Sequence, residues 1–376
     1  MGRVHNFSAG PAALPASVLA EVASELPDYR GCGMSVLEMS HRSGAYRAIF
    51  DETEACLRRL LGIPSSYRVL FLQGGATLGF ASVPMNLMRT RRAGYIVSGH
   101  FARKAWREAA RYGDAELLAS SEDSGFDRIP DLSGIPARCA AGDLDYVHIC
   151  QNNTIFGTMY RELPDTAGVP LAADVSSCFL SFPLDVERYG LLYAGAQKNA
   201  GPAGVTVLIV RDDLLGEGPA LPCCPSYLDF RAQADAGSML NTPNTFGIYL
   251  CGKVFSWIER TGGLPAMERR NRAKAELLYR ALDDSPLFSG TAQRGSRSIA
   301  NVCFRTPTPE LDAAFIEGAR ARGIEGVAGH RLVGGMRASI YNAVEMESVE
   351  ALVAYMRAFE AAHPAEAEAA ADGRSS

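Results

Sequence analysis

Lysine is nearly missing from this chain. Its 376 residues carry 37 basic side chains, yet only Lys104, Lys198, Lys253 and Lys274 are lysines. A net charge of -5 leaves no basic surface for nucleic acid. No apolar run approaches the roughly 20 residues needed to span a bilayer. The opening MGRVHNFSAG lacks an apolar signal core, and Asn6 stands where a myristoylation motif wants Ser or Thr. These absences predict a cytoplasmic protein with neither membrane nor nucleic acid as partner. The nine cysteines are scattered with no C-x-x-C pair, which argues against a disulfide framework and against a metal site and leaves buried reduced thiols as the expectation. No Walker motif and no G-x-G-x-x-G are present, so a nucleotide-dependent reductase on a similar sheet lacks its fingerprint.

What is present is an ordinary globular composition, 47% hydrophobic and 21% charged, in a chain long enough for two domains. Short apolar runs at 68–72, 94–97, 115–118, 146–150, 169–173, 190–194 and 205–210 alternate with helical stretches. They predict an α/β fold whose large domain is built on a mostly parallel seven-stranded sheet covered on both faces. Helices are expected over 15–26, 45–61, 250–260 and 264–282. A strand, helix, strand, helix series over 299–361 then predicts a smaller C-terminal α/β domain. The expected divisions are an N-terminal segment 1–15, a large domain 16–260, a small domain 261–363, and a disordered low-complexity tail 364–376.

Five strand ends carry small and polar groups: QGGATLGF, SGHF, QNNT, DVSS and GAQK. In open α/β sheets the ligand sits outside the carboxyl ends of the strands, so these groups are expected to line one cleft. Lys198 lies in YAGAQKNAGPAG, where an arginine was not used. A guanidinium stays protonated at any workable pH, whereas a desolvated ammonium can lose its proton and act as a nucleophile. Asp174 ends an apolar strand, where a buried carboxylate needs a cationic partner. GGATLGF comes directly after a strand and opens a helix, whose free N–H groups suit a phosphate dianion. Phe101 offers a ring for stacking. A lysine, a carboxylate, an aromatic face and a phosphate cradle are the parts that pyridoxal phosphate requires.

Eight ordered blocks now point further: NFSAGPAALP, MSVLEMSHR, FLQGGAT, NNTIFGT, AADVSS, YAGAQKNAGPAG, GSMLNTPNTF and GHRLVGGMRASIYNA. Together they resemble the phosphoserine aminotransferase family, class V pyridoxal-phosphate enzymes, from residue 6 to about residue 363. The resemblance implies a fold-type-I homodimer that passes an amino group between L-glutamate and 3-phosphohydroxypyruvate in serine biosynthesis. It implies that Lys198 bonds to the cofactor and that Asp174 pairs with its pyridine nitrogen. Ala76 and Thr77 would hold the phosphate through their backbone, Thr154 and Gln197 would touch the cofactor, and Asn241 and Thr242 would reach it from the partner subunit. Arg337 would grip the α-carboxylate, while His41, Arg42, His330 and Arg331 would form the distal anion pocket, the first pair from the neighbouring subunit.

The chain departs from the family pattern in places. Phe101 replaces a frequent Trp, Ala76-Thr77 replaces a Gly-Arg pair of some members, and Asn244 replaces the second proline of an NTPPT string, which is expected to loosen that turn. The family also serves vitamin B6 synthesis, and this sequence leaves that activity open. A small-substrate aminotransferase or a cysteine desulfurase is the alternative within the same cofactor class, although a desulfurase usually has His where Gln197 precedes the lysine.

Overall fold

The structure is a computed structural model and describes residues 2–375. Seven strands form the central sheet: β1 (Tyr67–Gly74), β2 (Arg92–Val97), β3 (Asp114–Ser120), β4 (Val147–Cys150), β5 (Leu171–Asp174), β6 (Leu191–Gly195) and β7 (Gly204–Arg211). Their order is β1-β7-β6-β5-β4-β2-β3. Only β7 runs against the other six strands, so the sheet is mostly parallel, as expected from the sequence. Each of the seven apolar runs is one of these strands, with no end displaced by more than two residues.

Continuous apolar runs arise because both faces are covered. Along β1, Val69 and Phe71 enter one core cluster while Leu70 and Leu72 enter the other, the period of two that a strand imposes. Helices α3 (Ala76–Leu87) and α4 (His100–Ala109) cover the Leu70 face. Helices α1 (Ala16–Glu25), α2 (Gly44–Leu61) and α5 (Thr245–Arg260) cover the other. Helix α2 starts where the Ser43 hydroxyl accepts the Tyr46 N–H at 3.2 Å, and it ends at Gly62 in the left-handed conformation.

After β3 the chain returns to the other side of β2 to place β4, so the direction of winding reverses between β2 and β4. A crevice opens at such a switch point. The two strand ends are tied there by Asn153, whose Nδ2 donates to Ser98 Oγ at 3.1 Å.

A three-stranded antiparallel sheet of β8 (Ser289–Gly290), β9 (Asn301–Arg305) and β10 (Met336–Ser339) comes after the long helix α6 (Gly263–Asp284). Helices α7 (Pro309–Arg320) and α8 (Met346–Ala361) pack on it around Phe288, Phe304, Phe315 and Phe359. Each fully buried Phe of this cluster contributes roughly 1.5–3 kcal/mol. The N-terminal segment joins this unit: His5–Asn6 pairs in parallel with Ile324–Glu325.

Two expectations are corrected here. The tail expected to be disordered forms helix α9 (Pro364–Ser375), because its Ala and Glu residues are strong helix formers and Ala367 is buried against α8; Ser376 lies outside the described residues. Asn244 secures its turn instead of loosening it. Its Oδ1 accepts the Gly247 N–H at 2.9 Å to cap α5, and its Nδ2 donates to the Gly204 carbonyl at 3.3 Å.

Candidate active site

The polar strand ends converge. A cavity of about 130 Å3 is lined by Ala76 and Thr77 after β1, Phe101 after β2, Thr154 after β4, Asp174 at the end of β5, and Gln197 and Lys198 after β6. Cys150, Asn152, Ser176 and Ser177 line it too; sequence reasoning gave them no individual role, although QNNT and DVSS contain three of them.

Lys198 Nζ donates to Thr154 Oγ1 at 2.7 Å and stands 5.3 Å from the centre of the Phe101 ring. The side chain keeps some contact with solvent through the cavity, but its amine is walled in by protein. Burial therefore holds it below the usual lysine range; Asp174 opposes this and Arg337 adds to it.

Asp174 is 8% exposed. Its Oδ1 accepts from Ser176 N at 2.9 Å and Ser176 Oγ at 2.5 Å, and the Cys150 thiol lies 3.9 Å from Oδ2. Burial pushes this carboxyl above the usual carboxylate range, against the hydrogen bonds from Ser176 and the charge of Lys198. No cation pairs with it among the described residues. The carboxyl is thus positioned and desolvated, and it lacks the counter-ion that would hold it ionised.

Gly75 caps α3 with no side-chain acceptor, and Ala76 and Thr77, which open the helix, line the cavity. The helix reaches this position because Gly79 lies against the Tyr193 ring, where a Cβ would stand 2.7 Å from ring carbons. An uncapped N-terminus of this kind favours an anion through its dipole and its donors together.

Arg337 sits on β10, opposite Cys303 of β9. Its Nε is buried without a hydrogen-bond partner, and it forms no ion pair among the described residues. His330 is half-buried beside it. Its imidazole is held below the usual histidine range by burial first and then by Arg337 and Arg331. The His330 ring lies 6.2 Å from that of His100 at the start of α4, a residue that sequence reasoning left unassigned. Arg331 is exposed. Arg337, His330 and Arg331 form no ion pair among the described residues, and donors left so are a place for an anionic ligand.

His41, Arg42, Asn241 and Thr242 are not brought together with Lys198 inside one chain, and His330 and Arg331 line a cavity other than its own. His41 and Arg42 precede α2, half-buried and exposed, and Asn241 and Thr242 are exposed before α5. The Thr242 carbonyl accepts from Gln73 Nε2 at 2.6 Å. Of the cysteines expected to be buried, Cys32 and Cys223 are exposed and Cys224 is half-buried, and none is in a disulfide.

The N-terminal segment presses on the lysine. Ala12 N donates to the Gln197 carbonyl at 3.0 Å, and a Cβ on Gly10 would stand 3.3 Å from Lys198 Cγ. Gly10 has a φ of +143°, which a side chain disfavours. Gly10→Ala is expected to cost roughly 1–3 kcal/mol in stability and to lower turnover by crowding Lys198. Denaturant unfolding and steady-state rates check this; wild-type values for both would show that the contact is slack.

Residues 4–352 match the family described as Aminotransferase class-V. The phosphoserine aminotransferase of Pseudomonas paraeruginosa is 52% identical over 359 residues, 95% of this chain and 98% of the relative. The solved phosphoserine aminotransferase from Bacillus circulans subsp. alkalophilus superposes with a TM-score of 0.92 at 45% identity, covering 96% of this chain and 99% of that one. A PLP-bound phosphoserine aminotransferase from Trichomonas vaginalis superposes with a TM-score of 0.87 at 38% identity, covering 94% and 100%.

Proposed function

The chain belongs to the aminotransferase class-V family, and on that premise we propose that it has phosphoserine aminotransferase activity. It exchanges an amino group between L-glutamate and 3-phosphohydroxypyruvate, giving 2-oxoglutarate and O-phospho-L-serine, with pyridoxal phosphate as cofactor. The observation that carries this reading is the shared cavity of Lys198, Asp174 and the uncapped start of α3.

The residues present fit the cofactor. Asp174 is a buried carboxyl in want of a cation, which a protonated pyridine nitrogen supplies. The start of α3, with Ala76 and Thr77, offers backbone donors to the phosphate, and Phe101 offers a ring face beside Lys198. Thr154 and Gln197 complete the lining. When bound, pyridoxal phosphate supplies an electron sink for the pair released as the substrate's Cα–H bond breaks.

The chain's own residues do the rest. Lys198 Nζ, deprotonated more readily than an ordinary lysine, takes the proton from the substrate's Cα as general base and returns a proton as general acid. Asp174, kept ionised by its cationic partner, stabilises the positive charge on the ring nitrogen. Arg337 receives the α-carboxylate through two parallel hydrogen bonds, which satisfies its unpaired Nε. His330 and Arg331, with His41 and Arg42 from a second copy of the chain, receive the distal anion. Asn241 and Thr242, exposed here, reach the neighbouring copy's cofactor phosphate. Both amino donors and both keto acids pass through one site, so the kinetics are ping-pong and the working unit is a homodimer. The expected cytoplasmic location belongs to the same reading; among the described residues no helix is long and apolar enough to cross a membrane.

Comparing 3-phosphohydroxypyruvate with hydroxypyruvate tests the substrate. Losing one hydrogen bond to a charged group costs roughly 1.5–3 kcal/mol, so efficiency on the unphosphorylated acid is expected to fall at least about tenfold. Equal kcat/KM on both acids would remove the distal anion pocket from the account.

A further inference from the structure

Three asparagines are buried where the small sheet meets the loop after Asp174. Asn199, Asn271 and Asn342 are 8%, 1% and 2% exposed. Asn199 is the next residue after Lys198. Its Nδ2 donates to the Phe179 carbonyl at 2.7 Å and to Ser181 Oγ at 3.0 Å, and its Oδ1 accepts the Asn342 backbone N–H at 3.0 Å. Asn342 Nδ2 donates to the Leu180 carbonyl at 2.8 Å, and its Oδ1 accepts from Asn271 Nδ2 at 2.7 Å. Asn271 Nδ2 also reaches the Ser181 carbonyl at 3.0 Å.

The three residues join separate parts of the chain. Asn199 belongs to the turn that carries the lysine, residues 179–181 to the loop that leaves Asp174, and Asn342 to the segment that leaves β10, five residues after Arg337. The loop is held in an unfavourable shape: Leu180 is fully buried with φ +60°, a conformation that side chains other than Asn, Asp and Gly seldom adopt. Such strain persists only where the surroundings over-determine it, and here the carbonyl of the strained residue is gripped by Asn342. The far side is braced as well. The buried Lys274 amine donates to the Tyr341 carbonyl at 2.7 Å and the Val344 carbonyl at 2.8 Å, fixing the backbone on both sides of Asn342.

A buried amide that loses its partner is costly, so a joint with this many bonds tolerates little displacement. An apolar contact of the same area would allow sliding. We propose that Asn199 and Asn342 are positioning residues for the reaction, setting the separation of Lys198 from Asp174 and referring both to the strand that carries Arg337. The inference rests on the roles given above to Lys198 and Arg337. It also accounts for a polar cluster that neither cofactor nor substrate contact requires.

The groups facing the Lys198 amine are Asp174 from β5, Arg337 from β10, and the thiols of Cys150 and Cys178, with Thr154 as its hydrogen-bond partner. Cutting the joint changes their distances from the amine. The test uses the holoenzyme of wild type, Asn199→Ala, Asn342→Ala and the milder Asn342→Ser, with Phe315→Leu as a control that loosens the distant aromatic cluster. Three readouts are recorded: the pH midpoint of the visible absorbance of the lysine-bound cofactor, kcat and KM in each half-reaction, and thermal unfolding.

Asn199→Ala loses all the side-chain bonds that tie the lysine's turn to the joint and is expected to move the midpoint by about half a pH unit or more. Its kcat is expected to fall roughly ten- to hundredfold in both half-reactions alike, because one lysine serves both. Asn342→Ala and Asn342→Ser change in the same direction with smaller effects, while Phe315→Leu lowers the unfolding temperature and moves neither midpoint nor kcat. If the asparagine variants behave as Phe315→Leu does, the joint is structural only and the proposal is overturned. A wild-type absorbance band that survives Lys198→Ala would instead overturn the role of Lys198 itself.

Discussion

Lys198→Ala is expected to lose turnover by at least roughly 10⁴-fold, at the upper end of what a positioned acid-base group contributes, because the same amine also holds the cofactor covalently. The visible absorbance of the lysine-bound cofactor should disappear with it. Lys198→Arg is the sharper version: it preserves the charge and the reach, but a guanidinium cannot give up its proton. It should be as inactive as the alanine variant. Stability moves the other way. Folding lowers the pKa of this buried amine, so the unfolded chain binds its proton more tightly between the folded value and the ordinary lysine value. Below that window the folded chain carries a desolvated ammonium at a cost that alanine removes. Urea unfolding of the apoprotein at neutral pH should therefore find Lys198→Ala at least as stable as wild type. Steady-state turnover retained by either variant would dismantle the assignment.

Asp174→Asn separates charge from shape. Asparagine can still accept the two hydrogen bonds from Ser176 at 2.9 and 2.5 Å. What it lacks is the negative charge that holds a bound heterocycle protonated. Removing a preorganised electrostatic contact of this kind costs roughly 10²–10³-fold in kcat, and that is the expected loss. The apoprotein again responds oppositely. Burial raises the Asp174 pKa in the folded state, so the folded chain binds the proton more tightly than the unfolded one. Stability contributed by the protonated carboxyl is full below the ordinary carboxylate value and is lost as pH rises through the folded value. The amide of the variant does not titrate and escapes that loss. Unfolding curves recorded from the ordinary carboxylate range, about pH 4, up to pH 7 should show wild-type apoprotein losing more stability over this span than Asp174→Asn does. Full activity in Asp174→Asn would mean that the carboxylate does not serve the cofactor.

Local pattern was enough for much of this molecule. Residues 69–72 are apolar on both alternating faces, and that alone requires a strand covered on two sides. The scarcity of lysine set Lys198 apart before any geometry was known, and the polar strings after the strands marked which chain segments face the cleft. These are short-range properties, fixed by side-chain periodicity and by the residues at each strand's carboxyl end. Tertiary structure decided everything that depends on the order of strands and the packing of distant segments. The return of β4 across β2 brings Thr154 to Lys198, and no local signal encodes that crossing. Asn244 as a helix cap and Gly10 against the lysine stem were hidden in residues whose composition fits loops equally well. Asn199, Asn271 and Asn342 are the strongest case: separated by up to 143 residues, they read as three ordinary polar positions until folding buries them against one another. A buried amide finds its value in the partner it meets, and that partner is chosen by the fold.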